Sequence, residues 1–447
     1  MRKERTRRTW LATVLVLALG SASSCARSWW GYMEEGAKLR DERQLAQAEG
    51  RFLAALELAE RFPSEDELLT TLSVLADVYH AQGKYTQAEP LYKRSLSIAE
   101  KRFGLEHVAT AHQLYSLAKL YRDQGRYAEA EPLFKQVLAI FERRENSGPV
   151  FFPTRLNLYH DLAILYRFQG KHTLAEPLDE RALAFAREDL AYQERHLTQY
   201  LDSVARLRDE AERHRALQRE AEAKKIESKA RVEATGVRLV EGYVAASLGR
   251  LSKILYDLGK YAEAEALYQR VLRIDEKTLG PEHPSVALDL HNLAILYDRQ
   301  GKYGEAEPLY KRALAIQEKN LGSENPDVAL TLNRLAQLYV TQERYVEAEP
   351  LVTRALAISE RALGLDHPNV ATGLHTLAML YSAQGQYAEA EPLYRRTLTI
   401  QEKVLGREHP LLAALLEDYA TLLRKINRET EAAEMDVRAK AIRARRR

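Results

Sequence analysis

GKYGEAEPLYKRALAIQEKNLG, residues 301–322, recurs with small changes along most of the chain. Its turn glycine returns as Gly83, Gly125, Gly170, Gly259, Gly301 and Gly385, and Glu343 and Asn427 stand in the same column. The successive intervals are 42, 45, 89, 42, 42, 42 and 42 residues. Self-similarity at a fixed period of this size marks a repeat architecture. It overrides the expectation of about three separate domains that length alone would give.

One unit shows why the pattern folds as paired helices. In Pro284–Gln300, Val286, Leu290, Leu293, Ala294 and Tyr297 fall on one helical face. Proline at the start suits the first turn, where an N–H has no intrahelical partner. Gly301 stands where the chain leaves the helix, a position that favours positive φ. Tyr303–Leu321 reads as the second helix, with Tyr303, Ala306, Tyr310, Ala313 and Leu314 inward and Gly322 at its end. The small alanines admit a close antiparallel neighbour, and the large residues fill the space between units. A lone pair cannot bury both faces, whereas a stack of pairs buries a continuous core. Pro90, Pro132, Pro177, Pro308, Pro350 and Pro392 fall about five residues into the second helix. An interior proline removes a hydrogen bond, so these helices are expected either to start late or to bend there.

Units with small, large and glycine residues in these columns resemble tetratricopeptide repeats. The 42-residue length and the phrases LAILYDRQGKYGEAEPLYKRALAI and LGPEHPSVA resemble the kinesin light chain subtype over roughly residues 65–190 and 240–435. The resemblance implies an all-α, right-handed α-solenoid of about ten antiparallel helix pairs, two of them degenerate. The expected organisation is a signal segment at 1–24, an N-terminal array at 25–190 with a degenerate first unit, and a C-terminal array at 241–447 with a basic tail. Between the arrays, residues 191–240 read either as a degenerate charged helix pair, with Glu212 in the turn column, or as a solvated helical insertion. Either way the solenoid is expected to be free to change direction there. In the degenerate first unit, AQAEGRFLAALELAERF suits a second helix, with the turn near Asp41.

The N-terminus reads as an address. Residues 1–9 are rich in Lys and Arg, 10–20 are apolar (WLATVLVLALG), and small residues lead to Cys25, the sole cysteine. That order is a secretory signal, and the apolar run is too short for the ~20 residues of a membrane-spanning helix. Ala22-Ser23-Ser24-Cys25 resembles the lipobox of bacterial lipoproteins, with Ala22 where Leu is commonest. The resemblance implies lipidation of Cys25 and a membrane anchor in the cell envelope, on an outer membrane facing the periplasm if the cell has one. Thr6-Arg7-Arg8-Thr9-Trp10-Leu11 is similar to a twin-arginine export motif. The alternative is an unprocessed signal and a cytoplasmic protein.

Composition removes several functions. Lys and Arg number 66 and Asp and Glu 64, a net charge of +2, so no global field recruits nucleic acid. A single cysteine leaves no internal disulfide and no multi-cysteine zinc site. There is no GxxxxGK[ST], GxSxG, HExxH or EF-hand loop. No cofactor or catalytic residue is expected, and the chain reads as a non-enzyme. His107, His283, His367 and His409 share one repeat column before helix starts, about one packed helix layer apart. They read as loop residues that help start the next helix. The AEAEP glutamates read as an outer face paired with the following Lys or Arg.

In tetratricopeptide arrays the first helices line a concave groove. The column of His291 runs Ser73, Tyr115, His160, Gly249, His291, Asn333, His375 and Glu417. It varies while the packing columns hold, as a shaped binding surface or plain solvent exposure would both require. Kinesin light chain repeats often carry Asn-Asn where this chain has His291-Asn292 and Asn333-Arg334. Lys253, Asn292 and Arg334 fall in columns like those of the carboxylate clamp of chaperone-binding relatives, with Gly249 and Leu330 in other clamp columns. The resemblance thus implies a protein-binding groove at Lys253, His291, Asn292, Arg299, Asn333, Arg334 and His375. The expected function is a membrane-anchored scaffold or adaptor for protein or peptide segments. The alternative is a regulatory peptide or effector sensor whose superhelix changes shape on binding.

Overall fold

The computed structural model describes residues 24–41, 44–61, 64–124, 126–143, 152–169 and 171–444. The signal segment and two turn glycines, Gly125 and Gly170, lie outside them. Every element is helical: α1 (Ser24–Asp41), α2 (Leu45–Ala59), α3 (Glu65–Ala81), α4 (Tyr85–Phe103), α5 (Val108–Asp123), α6 (Tyr127–Glu142), α7 (Phe152–Phe168), α8 (His172–Ala216), α9 (Glu220–Asp257), α10 (Tyr261–Leu279), α11 (Pro284–Arg299), α12 (Tyr303–Leu321), α13 (Pro326–Thr341), α14 (Tyr345–Leu363), α15 (Pro368–Ala383), α16 (Tyr387–Leu405), α17 (Leu412–Lys425) and α18 (Glu429–Ala444). These are nine antiparallel pairs among the described residues, stacked as an α-solenoid. The backbone of Cys25 belongs to α1; its side chain lies outside the description.

The turn column explains the glycines. Gly301 sits at φ 72°, and the two substitutes in its column, Glu343 and Asn427, are held at φ 59° and 60°. Left-handed backbone is costly for a residue with a Cβ, and both are kept there by the packed helices on either side. The prolines are settled too. Each second helix begins about five residues ahead of its proline, for example at Tyr85 ahead of Pro90 and at Tyr303 ahead of Pro308, so a late start is excluded. The four histidines act as read. Nδ1 of His107, His283, His367 and His409 accepts the N–H two residues on, at 3.0–3.2 Å. Asn325 fills the same role in its unit, accepting from the N–H of Asp327 at 2.8 Å.

Among the described residues, 191–240 form no separate short pair. They lengthen α8 to 45 residues and α9 to 38. At ~1.5 Å per residue those helices are about 68 and 57 Å long. The turn lies at Leu217–Arg219, with Gln218 at φ 58°, and Glu212 is an exposed residue inside α8. Leu201 and Ala205 are exposed; Val204 is buried. The seam between the arms holds Val204, Ala211, Ala223, Ile226 and Ala230. Gly236 allows the arms to meet, since a Cβ there would stand 2.6 Å from Cε1 of Tyr200. At the hairpin base the core is unbroken: one apolar cluster joins Leu156, Tyr159, Leu183, Leu251, Leu255, Tyr268 and Leu293 across α7 to α11.

A polar ladder ties unit to unit. At several turns the Lys or Arg that follows reaches back to the glutamate ahead of the proline position in the preceding second helix: Arg126 to Glu89 and Arg344 to Glu307 at 2.7 Å, Lys171 to Glu131 and Lys302 to Glu265 at 2.8 Å. The same glutamates also pair within their helix, as Glu307 does with Lys311 at 2.6 Å. The sequence reading had only these local pairs. The Arg344 guanidinium lies 4.0 Å from the ring centre of Tyr339, and Tyr339 donates to Glu307 at 2.8 Å. Arg344 first, joined by Lys311 and Tyr339, holds the Glu307 carboxyl down to about 2 against the opposing effect of burial. Glu131, where burial opposes and Lys135 and Lys171 prevail, also stands at about 2. A carboxyl depressed on folding stabilises above its unfolded value near 4.5 and loses that contribution as pH falls toward 2. The part of the stability that these two carboxyls supply is therefore expected to be level above pH ~5 and to be lost between about pH 4.5 and 2. In thermal melts Glu307→Gln should lower stability at pH 7, by roughly 1 kcal/mol or less for a solvent-screened pair, and should converge with the parent at pH 2. Parallel slopes for the two proteins would contradict the ladder.

Candidate functional site

First helices lie on the inner, shorter arc, because they also touch the first helix of the next unit: α3 with α5, α5 with α7, α11 with α13, α13 with α15 and α15 with α17. Much of this inner face is satisfied by itself. His80 Nε2 pairs with Asp123 at 2.9 Å and His160 Nε2 with Asp257 at 3.0 Å. Arg122 and Tyr115 both donate to Asp161. Arg250 and Ser247 donate to Asp189 at 2.6 and 2.7 Å.

The seven residues assigned to the groove divide accordingly. His291 is 5 % exposed; its ring meets the edge of Tyr310 at 5.6 Å, and Nδ1 lies 3.1 Å from Oγ1 of Thr331. Asn333 is 4 % exposed. His375 Nε2 pairs with Asp418 at 2.9 Å. Arg334 donates to Gln337 of its own helix at 3.2 Å, and Arg299 donates to the Tyr256 hydroxyl at 3.2 Å. His291 and Asn333 are thus buried between neighbouring units. A residue in a variable column is still buried when the neighbouring first helix covers it.

Lys253 and Asn292 meet at a cavity. It lies between α9, α10 and α11, has a volume of about 520 Å³, and is lined by Gly242, Ala245, Ala246 and Gly249 on one wall. Tyr268 and Asp275 of α10, and Asp289 and Asn292 of α11, form the others. That size falls in the range of ~300–1,000 Å³ typical of ligand sites. The wall is open because α9 carries glycine and alanine along its inner face. Asp275 and Asp289 face each other. Burial first, and then the Asp275 charge, push the Asp289 carboxyl up to about 8, so the pair shares a proton near neutrality. The sequence reading missed both acids. Their columns hold Gln317 and Thr331 in the next unit, and only a comparison of those columns with that of Gly249 could have revealed them.

The two arrays also touch across the inner space. Tyr127 OH lies 2.7 Å from Nε2 of His409, whose ring also lies 5.8 Å from Phe168. A Cβ on Gly83 would stand 2.4 Å from Nε2 of His367. Two of the helix-starting histidines thereby hold the far array, a second role that column reading did not suggest. Among the described residues no group of acids, histidines or cysteines could hold a metal, and no helix is long and apolar enough to cross a membrane.

Tetratricopeptide repeat family models match residues 36–101, 67–143, 155–188, 243–319, 291–362, 327–403 and 374–445. Among curated proteins none matches. A solved structure of a Rap protein complexed with Competence and Sporulation Factor is similar over 94 % of this chain and 100 % of its own, at 15 % identity and a TM-score of 0.51. BtubC (BKLC) from P. vanneervenii is 24 % identical over 56 % of this chain and 91 % of its own, with a TM-score of 0.41. A kinesin light chain from Podosopora anserina with nearly identical TPR-like repeats is 34 % identical over 44 % of this chain and 94 % of its own, with a TM-score of 0.38. Models covering well over half of the residues, and the helix pairs they fall on, make this chain a member of the tetratricopeptide repeat family.

Proposed function

We propose that this protein is a non-catalytic scaffold that binds protein or peptide segments on its inner face and is tethered to the cell-envelope membrane through lipid on Cys25. The observation that carries the binding half is the cavity at Lys253 and Asn292. It is a concave site on the inner face, and Lys253 projects beside it as an exposed cation. An amide such as Asn292 can both donate to and accept from a peptide backbone. The anchoring half rests on the sequence of residues 1–25. Two or more acyl chains would hold the protein stably where one would be marginal.

The test is crosslinked capture from envelope membranes with three forms: intact, Cys25→Ala, and Lys253→Ala/Asn292→Ala. Defined partners captured by the first and lost by the third support the site. Their reduction with the second, together with its release from membranes, supports the anchor. Equal capture by all three, from the soluble fraction, overturns both halves.

A sensor whose superhelix changes shape on binding is the second reading. The contact of Tyr127 with His409 favours it, since a ligand entering the inner space would have to strengthen or break that contact. The Rap neighbour, with a similar fold, is complexed with Competence and Sporulation Factor. Compaction or expansion in small-angle scattering on partner binding would select this reading.

A further inference from the structure

The cavity lies where the next unit carries a side chain and this one carries glycine. In the unit formed by α11 and α12, the His291 imidazole fills the corresponding space, edge-on to Tyr310 and bonded to Thr331 of the next first helix. One unit earlier the three columns hold Gly249, Tyr268 and Asp289. The ring is deleted, the aromatic platform is kept, and the hydroxyl that met the ring has become a carboxyl. Asp289 Oδ2 is buried and has no protein partner. Asp275, where the next unit has Gln317, adds a second carboxyl from the α10 wall.

We propose that this cavity receives an arginine side chain of the bound partner segment, its guanidinium resting on Tyr268 and donating to Asp289 and Asp275. The proposal deepens the binding reading above and rests on it. A planar cation with several donors matches what is missing, for it can stack on an aromatic face and fork onto carboxylates. An ammonium could meet the charge and sit over the ring, but it lacks the planar fork that would reach both carboxyls. The surrounding charges leave the pair as the open acceptor. Asp257 is engaged by His160, Glu276 pairs with Arg312 at 2.7 Å, and the Nδ1 of His283 accepts from Ser285. Lys253 stands on the α9 wall, apart from the α10 and α11 walls that carry the acids, as a cation suited to a carboxylate of the same segment. Entry of the guanidinium displaces the proton that the two carboxyls share, so binding releases a proton at pH 7 and tightens as pH rises toward 8.

The experiment is calorimetry of the full chain with N-acetyl-arginine methylamide and its neutral isostere, N-acetyl-citrulline methylamide. Two buffers of different ionisation enthalpy count the protons. The arginine probe should bind with proton release and the citrulline probe about tenfold or more weaker, because the carboxyls are then left unmatched. Asp275→Asn/Asp289→Asn should lose the preference. Gly249→His, which restores the repeat's own imidazole, should abolish arginine binding while raising the melting temperature, so loss of binding is not loss of fold. Equal binding of the two probes, no binding at millimolar concentration, or unchanged arginine binding by Gly249→His would overturn the proposal. Partner capture that persists in Gly249→His would also overturn it and leave the scaffold reading standing. Capture lost by Lys253→Ala/Asn292→Ala but kept by Gly249→His would place the partner outside this cavity.

Discussion

Tyr310→Ala is expected to destabilise the array by about 3–5 kcal/mol, the cost of deleting a large buried aromatic. Tyr310 has no exposed surface and packs in one cluster with Ala294, Ala306, Leu335, Leu338 and Val352, drawn from α11 through α14. Its loss therefore opens a cavity shared by two neighbouring units. Because each unit leans on its neighbours, the damage should propagate. Urea melts should show a lower midpoint and a broader transition as the C-terminal units separate from the rest. Tyr310→Phe should change little, under about 1 kcal/mol, because the hydroxyl is buried without a protein partner. The column itself supports this, with Phe134 and Val352 in the same position. Tyr92→Phe should cost more, since the Tyr92 hydroxyl donates to Asp77 at 2.7 Å. Equal effects of the two Tyr→Phe changes would contradict the pairing.

Gly83→Val should produce the largest change of shape. The residue sits at φ 69°, a region costing a side chain about 1–2 kcal/mol, and its new Cβ would strike the His367 imidazole. The turn is local to α3 and α4, but the clash is with the far array. The contact between arrays must yield, and the radius of gyration in small-angle scattering should increase. Adding His367→Ala removes the obstacle and should restore much of the compact form. It also removes a helix start, costing a further ~0.5–2 kcal/mol of stability. Scattering curves that superimpose for Gly83→Val and the parent would show that the arrays do not meet in solution.

The repeats were legible because each column has a local cause. Glycine marks a left-handed turn, alanine a close helix, tyrosine a gap between units. Helix bounds such as Pro284–Arg299 follow directly from those columns. Residues 191–240 were not legible in the same way. A long charged helix has no internal punctuation, and its seam of Val204, Ala211, Ala223, Ile226 and Ala230 is too thin to set a unit apart. The expectation of a turn at Glu212 came from projecting the period through a stretch that does not keep it.

A column tells which way a side chain points but not which residue of the adjoining unit waits for it. Lys253 and Asn292 open onto space, whereas Thr331 and Asp418 stand opposite His291 and His375. The acids at 275 and 289 belong to columns that are unremarkable elsewhere. They became visible only beside the glycine at 249.

The α8–α9 hairpin has a consequence for how this molecule can be rebuilt. Its base shares the common core, while its outer part is held by contacts between its own two arms. Matched deletions of whole helical turns from both arms would leave the base register untouched. The hairpin is thus a ruler whose length can be reset without editing any other part of the chain. A family of shortened forms, compared by partner capture, would report whether binding depends on how far the hairpin reaches.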